Sequence, residues 1–364
     1  MLLYLHIPFC HRVCPYCSFY KHTPGATPIG AFIDALVLEA RQRLGASAPP
    51  PRTLYLGGGT PSMLSPRHLT RLFGALHELM DFTQLEEVTL EANPATFEVA
   101  KAVLFRELGV TRVSLGIQSF SPHVLQTLGR EHTAGQAREA VAILRAAGMA
   151  QVNIDLMFSI PGQSAADWDA TLHAALALEP DHISAYNLSY EEDTAFFEAL
   201  RRGEVAASED LDARFFHLAA AVLTSNGFEH YETSNYARPG MRSAHNQGYW
   251  RGEDYLGLGP SAVSTLGATR WKNVADTGQY VTQIQALGHA HAEVETLDAE
   301  ARRLERIALG LRTSAGIPLY LLDRAARMRA DDLAGEGLAR IADGRLLLVG
   351  RGRALVDPIA GELV

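Results

Sequence analysis

The chain has 364 residues, 47 % of them hydrophobic and 20 % charged, with a formal net charge of −9. That length allows one large domain plus a small one, or two or three ordinary domains; the composition fits a soluble globular protein, and the acidic balance argues mildly against a general nucleic-acid binder. The opening MLLYLHIPFC has no basic leader and is broken by His6 and Pro8, and no later run approaches about 18 apolar residues. Neither a signal peptide nor an integral membrane segment is expected, so the address is cytoplasmic. Charge is uneven: residues 301–364 hold eleven Arg against eight Asp or Glu, a pattern that reads as a solvated mixed surface.

From residue 2 to about 190, β-rich runs alternate with helical patterns. Strands are predicted at LLYLHI (2–7), TLYLG (53–57), EVTLEA (87–92), RVSLGI (112–117), VNIDLMF (152–158) and HISAYNL (182–188), each apolar enough for burial on both faces. Helical patterns lie between them at 29–44, 65–80, 96–108, 135–147 and 165–178. A further helix over 210–225 puts Leu211, Phe215, Leu218, Ala219 and Val222 on one face. Six β/α units predict an α/β fold built on a partial parallel (β/α)6 barrel. Residues 1–270 are assigned to this core with its closing segment, 271–298 to a polar connector, and 299–364 to a small C-terminal α+β domain of winged-helix-like type. In that last part LYLLDRAARM (319–328) reads as a helix, and RLLLVGRGRALV (345–356) as a hairpin turning at Gly350 and Gly352.

In a parallel barrel the chemistry gathers at the C-terminal ends of the strands. The unusual residues of this chain fall there: CHRVCPYC after the first strand, GGGTPS after the second, EANP after the third, QSF after the fourth and Asp155 in the fifth. All three cysteines of the chain, Cys10, Cys14 and Cys17, stand in that first loop with spacing C-x3-C-x2-C. Disulfides would leave a remainder, and a reducing compartment disfavours them. A zinc site needs a fourth ligand, for which His6 or His11 is at hand. A 4Fe–4S cluster needs only these three thiolates, leaving one iron open for another ligand. The glycines of GGGTP let the backbone approach such a ligand closely, and Glu91 suits ribose hydroxyls. An amino acid joined to a ribose describes S-adenosylmethionine.

At this point HIPFCHRVCPYCSFY, LGGGTPS, LEANP, RVSLGIQSF, LGREHT and NIDLMFSIPGQ carry a resemblance to radical S-adenosylmethionine proteins. More narrowly, the chain resembles the family of the oxygen-independent coproporphyrinogen III oxidase (HemN), and within it the heme-chaperone branch (HemW), from Tyr4 to about Ser264, with a weaker likeness over 300–364. The resemblance implies that Cys10, Cys14 and Cys17 hold the 4Fe–4S cluster. It also implies that Tyr4, Tyr16, Gly58, Gly59, Thr60, Glu91, Gln118, Arg130 and Asp155 contact S-adenosylmethionine, with Arg130 suited to gripping a carboxylate.

Oxidase and chaperone part at a few positions. The oxidase pattern continues to a fourth cysteine two residues after the third, where this chain has Phe19, and the oxidase carries a longer segment ahead of the cluster loop. HNQGYW, with His245, Tyr249 and Trp250, matches a motif associated with heme in the chaperone branch; imidazole suits heme iron and the aromatic rings suit a porphyrin face. Without the motif, an aromatic packing cluster is the ordinary reading of such residues. The resemblance therefore implies a heme chaperone whose partners are heme, an acceptor hemoprotein and an electron donor such as flavodoxin or ferredoxin. The alternative is the oxidase itself, acting in porphyrin biosynthesis by oxidative decarboxylation of two propionates to vinyl groups.

Overall fold

The computed structural model describes residues 1–45 and 49–364. The predicted strands form, and the chain runs β1 (Leu2–Ile7), α1 (Ile29–Arg43), β2 (Thr53–Gly58), α2 (Pro66–Leu79), β3 (Glu87–Ala92), α3 (Val99–Glu107), β4 (Arg112–Gln118), α4 (Pro122–Thr127), α5 (Ala134–Ala146), β5 (Gln151–Phe158), α6 (Ala165–Leu176) and β6 (His182–Asn187). The helices begin where the sequence supplies caps. Ser65 accepts from the N–H of His68 at the start of α2, and Thr133 and Ser164 close capping boxes on α5 and α6. Strands β1 to β6 pair in parallel in sequence order. Nearly every residue of these strands is buried, as expected of strands covered on both faces.

The closing segment continues through α7 (Ala195–Arg201), α8 (Glu209–Ser225), β7 (Glu229–His230), β8 (Asn235–Ala237), α9 (Ala244–Trp250), β9 (Tyr255–Leu258), β10 (Val263–Leu266), β11 (Thr269–Asn273), α10 (Thr277–Leu287) and β12 (His291–Thr296). Helix α8 fully buries Phe215, Ala219 and Leu223, while Leu211, Leu218 and Val222 are half-buried. Strand β9 pairs in parallel with β1 on the side away from β2, so the first strand of the chain lies inside the sheet. The described residues form one twelve-stranded sheet in the order β12-β11-β10-β9-β1-β2-β3-β4-β5-β6-β8-β7.

Residues 271–298 are not a connector. Strands β11 and β12 extend the main sheet, and α10 packs on α1 through buried Tyr280, Val281 and Ile284. The fastening is Glu39 of α1, 1 % exposed, which accepts hydrogen bonds from the Gly259 N–H at 2.9 Å, Asn273 Nδ2 at 2.8 Å and the Tyr280 hydroxyl at 2.6 Å. Three donors compensate a carboxylate that burial would otherwise penalise, and they tie the segment to the barrel.

After it come α11 (Ala299–Leu311), β13 (Ile317–Pro318), α12 (Arg324–Gly335), β14 (Ala339–Ala342), β15 (Arg345–Leu348) and α13 (Val356–Leu363), with a separate apolar core around Ile307, Leu333 and Leu346. Two expectations are corrected here. The hairpin pairs β14 with β15 across Asp343–Gly344, whose positive φ angles of 52° and 69° are those of a type I′ turn. Gly350 and Gly352 instead enter a 3-10 turn over Gly350–Leu355. Likewise Leu319–Leu321 is a 3-10 turn, and α12 starts afresh after Asp323, whose carboxylate caps the Ala326 N–H at 2.8 Å.

The floor of the barrel, at the N-terminal ends of the strands, is plugged by α9. Glu87 accepts from the Ser243 hydroxyl at 3.0 Å, the Ala244 and His245 N–H groups at 2.8 and 3.3 Å, and the Thr89 hydroxyl at 3.1 Å. Gly248 lies so close that a Cβ there would strike Leu2.

Candidate cofactor site at the barrel rim

The cysteine loop leaves β1 and returns on itself. The His22 N–H donates to the Pro8 carbonyl at 2.8 Å and the Cys10 N–H to the His22 carbonyl at 3.0 Å, while Phe9, fully buried, anchors the neck. The three thiols are half-buried and free. Burial pushes the Cys10 and Cys17 thiols up. Among the described residues no three Cys, His, Asp or Glu side chains converge as ligands of one metal ion. A cluster asks for something else, since each thiolate takes a different iron and the sulfurs stand apart.

Two donors aim at the sulfurs. Thr60 Oγ1 lies 3.5 Å from Cys10 Sγ, and Arg130 Nη1 lies 3.7 Å from Cys14 Sγ. Asn93 joins them from behind: its Oδ1 accepts from Arg130 Nη2 at 2.6 Å and its Nδ2 donates to Thr60 Oγ1 at 3.2 Å. An unbroken polar arc thus runs Cys10–Thr60–Asn93–Arg130–Cys14. Hydrogen bonds to sulfur are among the factors that set cluster potentials, so these residues fit an iron–sulfur group.

The thiols open onto a cavity of about 490 Å3 at the C-terminal ends of β2 to β6, lined also by Tyr16, Gly58, Gly59, Thr60, Glu91, Gln118, Arg130 and Asp155. The glycine loop is drawn onto β1. Gly59 and Thr60 donate to the carbonyls of Ile7 and Phe9, each at 2.8 Å, and a Cβ on Gly59 would fall 2.7 Å from the Phe9 carbonyl. Gly58, at φ +105°, donates to Glu91 Oε2 at 3.1 Å. These three N–H groups are therefore committed inside the protein.

Glu91 is held by Gly58 and by the Tyr55 hydroxyl at 2.7 Å, yet burial raises its pKa to about 7. Asp155 accepts from Ser114 at 2.9 Å and Asn153 at 2.7 Å, and burial raises its pKa as well. Gln118 sits at φ +68° on a β-bulge, a strained conformation for a residue with a Cβ. Arg130 keeps its Nε buried without a partner. The rim thus combines strain, a buried acid poised near neutrality and an unpartnered guanidinium nitrogen around one cavity, which is the signature of a binding site.

Tyr4 and the HNQGYW residues lie elsewhere. Tyr4 is level with Tyr55 in the strand register, one layer below the rim, and its hydroxyl meets His6 Nδ1 at 3.0 Å. His245 belongs to the floor plug. It is 1 % exposed, its Nδ1 is 2.7 Å from Thr53 Oγ1, and its ring stacks on Tyr55. Its Nε2 is buried without a partner, and burial lowers its pKa to about 3. Ligation of heme iron by His245 would require α9 to leave the floor. Tyr249 packs edge-on to His245 and Tyr255, and half-buried Trp250 lies beside the buried Glu232. Sequence reasoning left Asn93 and Tyr55 unassigned, although Asn93 stands in the quoted EANP and Tyr55 is polar at an inward-facing strand position.

Comparison with known proteins agrees with this geometry. The profile of the Radical SAM superfamily matches residues 4–175. The chain is 39 % identical to a Mycobacterium tuberculosis protein named heme chaperone HemW, covering 100 % of this chain and 94 % of that one. It is 34 % identical to the Lactococcus lactis protein of the same name, over 96 % of this chain and 91 % of the relative. Among solved structures, coproporphyrinogen III oxidase (HemN) from Escherichia coli, a radical SAM enzyme, superposes with a TM-score of 0.85 at 25 % identity, over 100 % of this chain and 89 % of that chain. Within the radical SAM superfamily, the chain belongs to the HemW family.

Proposed function

We propose that the protein is a heme chaperone, which binds heme and passes it to an acceptor hemoprotein while carrying a 4Fe–4S cluster and S-adenosylmethionine at its rim. The observation that carries this reading is the end-to-end likeness to proteins named heme chaperone, in a chain whose cluster loop has three thiols and Phe19 two residues after the last. Cys10, Cys14 and Cys17 would hold the cluster. Glu91, when ionised, would accept from ribose hydroxyls, Arg130 would face the carboxylate of the methionyl group, and Gln118, Asp155, Thr60, Gly58, Gly59 and Tyr16 would complete the enclosure. Tyr4 would support this layer from beneath. When bound, the cluster and its ligand supply one-electron chemistry, fed by a donor such as flavodoxin or ferredoxin. Of the three HNQGYW residues, Tyr249 would contact heme directly, with His245 and Trp250 holding its helix. No described helix is long and apolar enough to cross a membrane.

The likeness to HemN over the whole chain favours a second reading, coproporphyrinogen III oxidation. Anaerobic incubation of the reconstituted protein with reductant, S-adenosylmethionine and coproporphyrinogen III separates the two. The chaperone reading expects heme binding without protoporphyrinogen; sustained protoporphyrinogen formation would replace it with the oxidase reading.

A further inference from the structure

A second cavity, of about 420 Å3, adjoins the first, and Ser18 and Phe19 line both. Its walls come from four parts of the chain: Tyr4 on β1, Phe19 and Tyr20 in the cysteine loop, Tyr249 and Tyr255 at α9 and β9, and Lys272 on β11. Phe19 is 67 % exposed, a large apolar ring facing solvent at the mouth, in a loop whose neighbouring Tyr20 is fastened by its hydroxyl to Thr277. His6, also in the wall, has both ring nitrogens engaged, by the Tyr4 hydroxyl at 3.0 Å and the Tyr20 carbonyl at 2.7 Å, and so offers no ligand nitrogen.

Among the described residues, Lys272 is the one lysine or arginine of this wall. The nearby carboxylates Glu295 and Glu305 pair with Arg270, two residues earlier on the same strand. Glu293 stands opposite Lys272 in register, yet among the described residues Lys272 makes no ion pair. Aromatic walls take a flat ring face, and an unpaired ammonium at the edge takes an anion. A planar ring system with carboxylates on its rim answers both.

Resting on the heme-chaperone reading, we propose that this second cavity seats the tetrapyrrole. Its face lies against Phe19, Tyr249 and Tyr255, and one propionate carboxylate reaches Lys272, beside rather than inside the cavity of the cysteines. Phe19, at the position where the oxidase pattern has a cysteine, becomes the ring that stacks on the ligand. The seat leaves the barrel floor closed and needs no ligation by His245.

The test titrates the full-length reconstituted protein with iron-free protoporphyrin IX, which removes axial ligation, with its dimethyl ester, and with heme. Phe19→Ala and Tyr255→Ala each weaken porphyrin binding by about tenfold. Lys272→Glu weakens the free acid by about tenfold or more but leaves the dimethyl ester unchanged, which a merely structural lysine would not do. Phe19 is largely solvent-exposed, so its variant keeps the fold, and S-adenosylmethionine affinity in Lys272→Glu serves as the control. Wild-type binding that all three variants retain would overturn the seat while leaving the chaperone reading standing. A wild type that binds neither heme nor porphyrin would overturn both.

Discussion

The two ends of the barrel use the same kinds of residue to opposite ends. At the floor, most polar groups satisfy one another: Glu87 takes four donors, and His182 spans Asn153 and Tyr231 at 2.6 and 2.7 Å, although His245 Nε2 is buried without a partner. At the rim, Glu91 and Asp155 each accept two hydrogen bonds and still line a cavity, and Arg130 keeps a nitrogen unpaired there. Buried polarity alone does not mark a site. What marks it is polarity left incomplete where a cavity opens, because an unpaired buried group costs free energy that a ligand can recover.

Substitutions at the two ends should separate along that line. The largest effect is expected from Cys14→Ala: iron content and cluster absorbance of the reconstituted protein fall to background, while stability to denaturant changes by less than about 1 kcal/mol. Loss of stability with cluster retained would remove the distinction at its root. Glu87→Ala should do the reverse. It leaves four donors without their acceptor and should lower unfolding free energy by roughly 3–5 kcal/mol in urea titrations, with S-adenosylmethionine affinity of the folded fraction intact. Asn93→Ala sits between these, since it breaks the arc from Thr60 to Arg130 without touching the floor. Calorimetry should find S-adenosylmethionine bound about tenfold more weakly, equivalent to roughly 1.4 kcal/mol.

The smallest effect concerns pH. Glu91 has its pKa raised by burial to about 7, so at pH 6 it is mostly neutral and at pH 8 mostly ionised. A ribose hydroxyl donates to the ionised form. Affinity for S-adenosylmethionine should therefore rise about tenfold at most between those two values and be flat in Glu91→Gln. A profile unchanged by that substitution would place the titrating group elsewhere.

Much of the rim was legible because it is local in sequence. Three thiols in eight positions and a glycine triplet at a strand end declare themselves, and apolar strands buried on both faces fix the frame that gathers them. The floor was not legible. His245 reads as a heme contact, with an aromatic packing cluster as the ordinary alternative, and only Thr53 and Glu87, more than 150 residues away, reveal how its helix is enclosed. Residues 271–298 read as a connector because their polar positions dominate the pattern; only Glu39, meeting Asn273 and Tyr280, reveals the attachment. The hairpin at 339–348 was hidden by glycines a few residues later, whereas its Asp-Gly turn was the better signal. Asn93 was quoted in its motif but given no role, since its importance lies in bridging two residues from other loops, Thr60 and Arg130.

Transfer of heme tests the central claim most directly. The reconstituted protein, loaded with one equivalent of heme, is mixed with a heme-free acceptor cytochrome, and the Soret band is followed with and without S-adenosylmethionine. Heme should bind stoichiometrically and transfer faster than from serum albumin. Failure to bind heme, or transfer no faster than from the albumin control, would contradict that claim.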